Sequence, residues 1–177
     1  MKETEIRQAI TDMADALIAL NEGTDDLILM GVHRRGVQVA AVIRERIEDE
    51  YGVRIPLGTL DITFYRDDLL TIGPKPVVGQ TVLPEAGIED KRLAIIDDVI
   101  FTGRTARAGL NELIDWGRPS RVFLLVLVDR GGREIPLQPD FTGNVIEVAE
   151  GCTVDVRVPE VDGEWAVEMT SLGEETP

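Results

Sequence analysis

The feature that most constrains the fold of this chain is an apolar run that ends in two neighbouring acids and a threonine-glycine turn, at residues 93–105. Four apolar residues precede Asp97 and Asp98, and residues 106–116 then carry apolar side chains at helical spacing. An unbroken apolar run of this kind is typical of a strand buried on both faces of a parallel sheet. The stretch therefore predicts a strand ended by the acids, a tight turn and the start of a helix, which is the repeating unit of an α/β protein.

The turn at residues 102–105 predicts an anion site. The first N–H groups of a helix have no acceptor within the helix, and ligands of open α/β sheets bind at the carboxyl ends of the strands. Asp97 and Asp98 cannot be ligands of that anion, so they are expected to bind hydroxyls or a metal. An anion cradle beside two carboxylates suits a sugar phosphate, although an ordinary turn between a strand and a helix remains the alternative on these residues alone.

A second predicted strand, at residues 26–32, leads into His33 and the sequence Arg34-Arg35-Gly36. If both strands are parallel, this loop lies at the same edge of the sheet as the two acids. Guanidinium groups beside a glycine-containing backbone suit a second polyanion, while a basic loop without a ligand is the alternative. We do not assign His33 a catalytic role.

The remaining segments alternate between helix and strand, which predicts one α/β domain over residues 1–177. Residues 66–90 contain three prolines and three glycines with only short apolar pieces, which is typical of a lid loop. Residues 129–170 are expected to form a small hood with edge strands. The individual predictions are helices at 3–20 and 37–50, extended chain at 53–65, a strand at 121–128, a turn at 142–144, a short strand at 145–148, alternating edge strands at 153–158 and 165–169, and a frayed tail at 171–177.

The content of cysteine and histidine excludes some classes of site. A single cysteine, Cys152, and a single histidine leave neither an internal disulfide framework nor a dedicated His/Cys zinc site.

No apolar run approaches the roughly 20 residues of a membrane span, and the first residues do not resemble a signal peptide. These features predict a cytoplasmic protein that does not enter a membrane.

The net charge of −15 is distributed unevenly along the chain. Residues 134–177 carry eleven acids and one arginine, whereas residues 104–133 carry six arginines and three acids. The acidic balance argues against indiscriminate binding of nucleic acid, but a specific basic surface on residues 104–133 remains compatible with it.

Five segments together resemble the PyrR family, whose members are pyrimidine operon attenuators and uracil phosphoribosyltransferases within the type I phosphoribosyltransferase superfamily. The resemblance covers roughly residues 5–146. It implies the type I fold, a central and mostly parallel sheet flanked by helices with a flexible lid and a small hood. The segments are Arg-Gly at 35–36, Asp-Ile-Thr-Phe-Tyr-Arg-Asp-Asp-Leu at 61–69, Asp-Asp-Val-Ile-Phe-Thr-Gly-Arg-Thr at 97–105, Gly-Arg-Pro-Ser at 117–120 and Val-Leu-Val-Asp-Arg-Gly at 126–131.

The same resemblance implies an activity and its partners. Members of the family use phosphoribosyl pyrophosphate (PRPP) with Mg²⁺, convert uracil to UMP and pyrophosphate, and assemble from dimers. Many of them also bind an RNA stem-loop of the pyrimidine-operon leader when UMP is present. The expected partners of this chain are therefore PRPP, uracil, UMP and pyrimidine-operon leader RNA, in a homodimer or higher homo-oligomer.

Individual site residues follow from the resemblance. Asp97 and Asp98 would bind the ribose hydroxyls and Mg²⁺, which is also held through PRPP. The residues expected to wrap the 5′-phosphate are Thr102, Gly103, Arg104 and Thr105. Those expected at the pyrophosphate are Arg34, Arg35, Gly36, Tyr65 and Arg66, and those expected to carry catalysis are Asp97, Asp98, Arg35 and Arg66.

The chain departs from its relatives at positions that affect base choice and RNA binding. Purine enzymes of the superfamily carry an aspartate where this chain has Phe101, which favours a pyrimidine base. The relatives' histidine is replaced by Gly132, and two basic positions further on are Gln138 and Asn144. Arg130 and Arg133 remain as the expected RNA contacts. A phosphoribosyltransferase that has lost RNA binding, or one that acts on another base, stays open as an alternative.

Overall fold

The computed structural model of the protein describes residues 1–62 and 81–171. The predictions for Tyr65, for Arg66, for the lid up to residue 80 and for the tail after residue 171 lie outside the described residues. Within the described part, helices and strands alternate as the sequence predicts over residues 3–60 and 92–129, whereas the three strands between residues 121 and 157 follow one another directly. None of the helices in this part is long and apolar enough to cross a membrane.

A parallel sheet of five strands forms the centre of the molecule, in the order β2-β1-β3-β4-β5. A second sheet pairs β6 with β7 in antiparallel orientation. The elements are α1 (Glu3–Asn21), β1 (Leu27–Val32), α2 (Arg35–Tyr51), β2 (Leu57–Leu60), β3 (Arg92–Ile100), α3 (Arg104–Trp116), β4 (Arg121–Asp129), β5 (Phe141–Val145), β6 (Cys152–Arg157), α4 (Pro159–Asp162) and β7 (Ala166–Ser171).

Helices cover both faces of the central sheet, which confirms the predicted α/β class. The apolar stripes of α1 and α2 join one buried cluster, which includes Phe123 of β4. Helix α3 contributes Leu113 to a second cluster on the other face, together with Ile95 of β3. Because β3 and β4 are covered on both sides, their sequences are almost unbroken apolar runs.

Strand β3 is longer than the apolar run that predicted it. It pairs with β4 as far as Ile100, which lies opposite Asp129. Asp97 and Asp98 therefore lie inside the carboxyl-terminal part of the strand, which corrects the prediction that the acids end it. Backbone pairing with a neighbouring strand extends the strand regardless of the polarity of these two side chains.

The prediction for residues 142–148 is wrong. The expected turn at 142–144 belongs to β5, and the expected strand at 145–148 is already ending at Val145. A Cβ on Gly143 would lie 2.8 Å from the carbonyl oxygen of Leu127 and 3.3 Å from the Cβ of Ala9. The glycine therefore allows β5 to pack closely against β4 and α1, and it does not mark a turn.

The two alternating strands near the carboxyl end are not edges of the central sheet. They pair with each other from Cys152, opposite Ser171, to Arg157, opposite Ala166. Their apolar side chains nevertheless pack onto the main core, and Val156 and Trp165 are both buried. These strands occupy the carboxyl-terminal part of the region predicted as a hood at 129–170, and from here on the hood denotes residues 152–171.

Candidate active site

A cleft lies where the carboxyl ends of β1, β3 and β4 meet the hood. It has a volume of about 770 Å³, including its part open to solvent. The cleft brings together residues from both predicted anion loops and from the acid pair. Its lining consists of Val32, His33, Arg35, Asp97, Asp98, Val99, Ile100, Phe101, Gly103, Thr105, Arg130 and residues 153–156.

The two acids of β3 differ in burial. Asp97 is 5% exposed, and its Oδ1 accepts a hydrogen bond from the backbone N–H of Asp98 at 2.9 Å. Asp98 is half-buried. One carboxylate is thus fixed at the base of the cleft while the next one along the strand is more accessible.

The loop before α2 lies directly against the acid pair. A Cβ on Gly36 would be 2.6 Å from the carbonyl oxygen of Ile96 and 3.1 Å from the Cα of Asp97. Only a glycine lets the start of α2 approach β3 this closely. Arg35 lines the cleft, whereas Arg34 is exposed and is absent from the lining formed by the described residues.

The turn at residues 102–105 forms the start of α3. Gly103 precedes the helix with φ of +91°, a backbone conformation that residues other than glycine rarely adopt. The buried Thr102 accepts a hydrogen bond from the Arg104 N–H through its Oγ1 at 3.2 Å. The guanidinium of Arg104 pairs with Glu134 at 2.6 Å, outside the cleft lining. The turn therefore presents a helix N-terminus, the kind of group that binds phosphate, at the edge of the cleft.

Arg35 forms a two-point ion pair with the hood. Its Nε donates to Oδ2 of Asp162 at 3.0 Å, and its Nη2 donates to Oδ1 at 2.9 Å. These hydrogen bonds hold the pKa of Asp162 below its usual value and raise the pKa of Arg35. Sequence analysis did not single out Asp162, because an acid in an acidic segment 127 residues away from its partner has no distinguishing spacing.

Arg130 connects the end of β4 to the hood across the cleft. Its guanidinium carbon lies 4.2 Å from the centre of the Phe101 ring. It also donates hydrogen bonds to the carbonyl oxygen of Cys152 at 2.7 Å and to Oγ1 of Thr153 at 3.1 Å. The contacts place this residue, expected at an RNA surface, in the wall of the cleft.

Arg133 holds the loop after β4 in shape. It donates to the carbonyl oxygens of Phe101 at 2.8 Å and Leu137 at 3.1 Å, and it pairs with the carboxylate of Asp129. Burial by itself raises the pKa of Asp129, but the hydrogen bonds from Arg133 and from the Gly131 N–H outweigh it and leave that pKa lowered. Both arginines that we expected to contact RNA thus have contacts within the protein.

The carboxylates in the cleft suit a metal ion that is held mainly by oxygens of a bound substrate. Within residues 1–62 and 81–171, no three His, Cys, Asp or Glu side chains are grouped so as to hold a metal ion by themselves. Mg²⁺ is commonly bound by one or two carboxylates together with phosphate oxygens of a substrate. Asp97 and Asp98 match that pattern.

Three features of this site together define a phosphoribosyltransferase of type I. They are an acid pair on a parallel strand, a helix N-terminus just beyond that pair and an arginine-glycine loop beside it. The family model for the phosphoribosyl transferase domain matches residues 2–157. Solved structures of the same fold include the hypoxanthine phosphoribosyltransferase of Trypanosoma cruzi, with a TM-score of 0.69 at 19% identity, covering 97% of this chain and 94% of that chain. The purine phosphoribosyltransferase of Pyrococcus horikoshii has a TM-score of 0.59 at 25% identity, covering 80% of this chain and 83% of that one.

Relatives of higher sequence identity show which family of phosphoribosyltransferases the chain belongs to. A bifunctional protein PyrR from Herpetosiphon aurantiacus is 48% identical over 163 residues, which is 92% of this chain and 90% of the relative. A bifunctional protein PyrR from Thermus thermophilus is 46% identical over 169 residues, which is 96% of this chain and 93% of the relative. The chain belongs to the PyrR family of phosphoribosyltransferases.

Proposed function

We propose that this protein transfers the phosphoribosyl group of PRPP to uracil, releasing UMP and pyrophosphate, and that it also regulates pyrimidine operon expression. The observation that carries the enzymatic part is the meeting of Asp97, Asp98 and Arg35 in one cleft with the N-terminus of α3. Two anion-binding elements flank a pair of carboxylates there, which corresponds to the two phosphate ends of PRPP and the ribose between them.

The proposed roles divide the substrate among three loops. Asp97 and Asp98 bind the ribose hydroxyls, and residues 102–105 hold the 5′-phosphate. Arg34, Arg35 and Gly36 bind the pyrophosphate. Tyr65 and Arg66, which lie outside the described residues, complete that site in the proposal.

Departure of pyrophosphate leaves a ribose with oxocarbenium character, as in glycoside cleavage. Such a reaction depends on neutralising the charge of the leaving group more than on a strong nucleophile. The guanidinium of Arg35 supplies positive charge at the pyrophosphate, and the carboxylate of Asp98 keeps the ribose in position. Mg²⁺, held by the acid pair and by oxygens of PRPP, would add further positive charge on the leaving group.

Phe101 supports a pyrimidine as the acceptor base. Its ring lines the cleft and offers no carboxylate that could accept a hydrogen bond from a purine ring nitrogen. A phosphoribosyltransferase for hypoxanthine, guanine or orotate is the alternative that the enzymatic assay distinguishes.

The regulatory part of the proposal is a UMP-dependent interaction with leader RNA. The relatives named above are called bifunctional, and residues 104–133 contain six arginines. Arg130 contacts the cleft and Arg133 shapes the loop that follows it, so nucleotide in the cleft can influence the surface at residues 129–133. Loss of RNA binding during divergence is the alternative. The proposal places the protein in the cytoplasm as a homodimer or higher homo-oligomer.

The test of the enzymatic proposal is UMP formation from uracil, PRPP and Mg²⁺, with hypoxanthine, guanine and orotate as competing bases. The double variant Asp97→Asn, Asp98→Asn is expected to abolish turnover. Asp115→Asn, an exposed acid on α3, is the matched control and should retain it. Unchanged turnover in the double variant, or preference for another base, contradicts the assignment.

A gel shift with pyrimidine-operon leader RNA, with and without UMP, tests the regulatory part. A shift that UMP strengthens is expected. The absence of any shift at low salt contradicts this part and leaves the enzyme alone.

A further inference from the structure

We propose that Asp162 of the hood is a positioning residue for Arg35: it holds one edge of the guanidinium so that the opposite edge faces the pyrophosphate of PRPP. This inference rests on the proposed phosphoribosyltransferase activity. It assigns the hood a part, acting through Arg35, in recognition of the leaving group.

The geometry of the pair divides the guanidinium into two edges. Asp162 takes the edge formed by Nε and Nη2, at 3.0 and 2.9 Å. This uses two of the five N–H donors of an arginine and leaves the edge formed by Nη1 and Nη2. That second edge presents two parallel N–H groups, a geometry that binds phosphate oxygens in bidentate fashion.

The carboxylate of Asp162 is itself fixed. Its Oδ2 accepts a hydrogen bond from the backbone N–H of Val158 at 2.9 Å, at the start of α4. Val158 is fully buried, and its neighbours in the hood, Val156 and Trp165, pack into the main core. Because the hood is anchored by this packing, Asp162 can act as a rigid support.

Two other carboxylates of the cleft lining, those of Asp98 and Asp155, lie near Arg35. The charges of Asp98 and Asp155 also act on its guanidinium. Without Asp162, the nearby carboxylates would attract Arg35, and one of them is the acid that the proposal assigns to the ribose. Asp162 therefore keeps the arginine at the pyrophosphate side and leaves Asp98 available for the sugar.

The opposite interpretation is an inhibitory contact, in which Asp162 competes with pyrophosphate for Arg35. The two interpretations predict opposite changes in PRPP affinity. Positioning predicts weaker PRPP binding when Asp162 is changed, and competition predicts tighter binding.

The experiment measures the KM for PRPP, the KM for uracil, and inhibition by pyrophosphate in Asp162→Ala and Asp162→Asn. In Asp162→Ala we expect the KM for PRPP and the inhibition constant of pyrophosphate to rise about tenfold, as the loss of a charge-assisted contact implies. The KM for uracil should stay within about twofold. Asp162→Asn should lie between, because its amide oxygen can still accept one of the two hydrogen bonds. Glu160→Gln, an exposed change on the same short helix, is the matched control.

A second measurement guards against a simple folding defect. Arg35→Lys keeps a charge but cannot form the two-point contact, so its combination with Asp162→Asn should show non-additive losses in PRPP affinity. An unchanged or lowered KM for PRPP, equal losses for both substrates, or additive losses in the double variant would each overturn the positioning role. If the unchanged protein forms no UMP at all, the proposed function fails instead, which separates the two failures.

Discussion

The guanidinium of Arg130 lies 4.2 Å from the ring centre of Phe101, and its hydrogen bonds reach the hood at Cys152 and Thr153. One side chain thus connects the end of the central β4 strand, Phe101 and the hood. Phe101, Arg130 and Thr153 all line the cleft, so these contacts lie in its wall.

Arg130→Ala should therefore weaken UMP binding in addition to lowering stability. The lost contact over the ring is worth about 0.5–2 kcal/mol, and the hood loses two hydrogen bonds. The matched control is Arg121→Ala at the other end of β4, where the guanidinium lies 4.6 Å from the centre of the Phe123 ring. Calorimetric titration with UMP should show reduced affinity for Arg130→Ala alone. Equal UMP affinity in the two variants would refute a binding role for Arg130.

Gly36→Ala is expected to destabilise the protein and impair turnover. The added methyl group would lie 2.6 Å from the carbonyl oxygen of Ile96, so β3 and α2 must separate, at a cost of about 1–3 kcal/mol. Gly109→Ala on α3 is the control, since its added atom meets Leu60 Cδ1 at an ordinary 3.5 Å. That change should stabilise the helix by about 0.5–1 kcal/mol. Denaturant unfolding and UMP formation measure both effects, and a Gly36→Ala protein as stable as the unchanged one would contradict the packing argument.

Gly103→Ala should reduce affinity for PRPP more than affinity for uracil. The position has φ of +91°, so a side chain strains the turn that precedes α3 by about 1–2 kcal/mol. We expect the backbone N–H groups to move relative to the 5′-phosphate. Steady-state kinetics with each substrate varied in turn measures the KM for PRPP and the KM for uracil separately. Gly131→Ala, also at positive φ but with no neighbour within 4 Å of its added atom, controls for strain alone.

The stability of the protein should fall when the pH drops below about 4, because the folded-state pKa of Asp129 is lower than its unfolded value. The stabilisation is fully present above the unfolded pKa and is lost as the pH falls through the folded one. Asp129→Asn should therefore show a smaller loss of thermal stability between pH 5 and pH 3 than the unchanged protein. Asp115→Asn serves as the surface control. Identical pH dependence in Asp129→Asn and the unchanged protein would contradict a stabilising pair between Asp129 and Arg133.

Arg133→Ala tests whether the loop after β4 contributes to RNA binding through its shape. The change leaves Asp129 with its main partner removed, so thermal stability should drop, and UMP-dependent binding of leader RNA should weaken. Arg107→Ala, an exposed arginine on α3, is the comparison. If Arg107 contacts phosphate, its loss reduces the salt dependence of binding by about one unit of slope without lowering stability. RNA affinity unaffected by Arg133→Ala would exclude the loop from the RNA surface.

The sequence by itself determined the local units of this protein: buried strands at β1, β3 and β4, the helices packed on them, and the motifs at residues 34–36 and 97–105. Apolar periodicity and glycine-containing turns are local properties, so they can be read from neighbouring residues. The topology of parallel strands then places both motifs at one edge of the sheet.

Only the tertiary structure decided which side chains meet across long separations. The pairing of Arg35 with Asp162 and the stacking of Arg130 on Phe101 leave no periodic trace, because an ion pair or ring contact requires only proximity in space. Gly143 was wrongly interpreted as a turn for the same reason: its smallness serves contact with Leu127 and Ala9, neither of which is near it in the chain. Local patterns follow from hydrophobic burial and backbone geometry, whereas contacts between distant segments follow from how those segments pack.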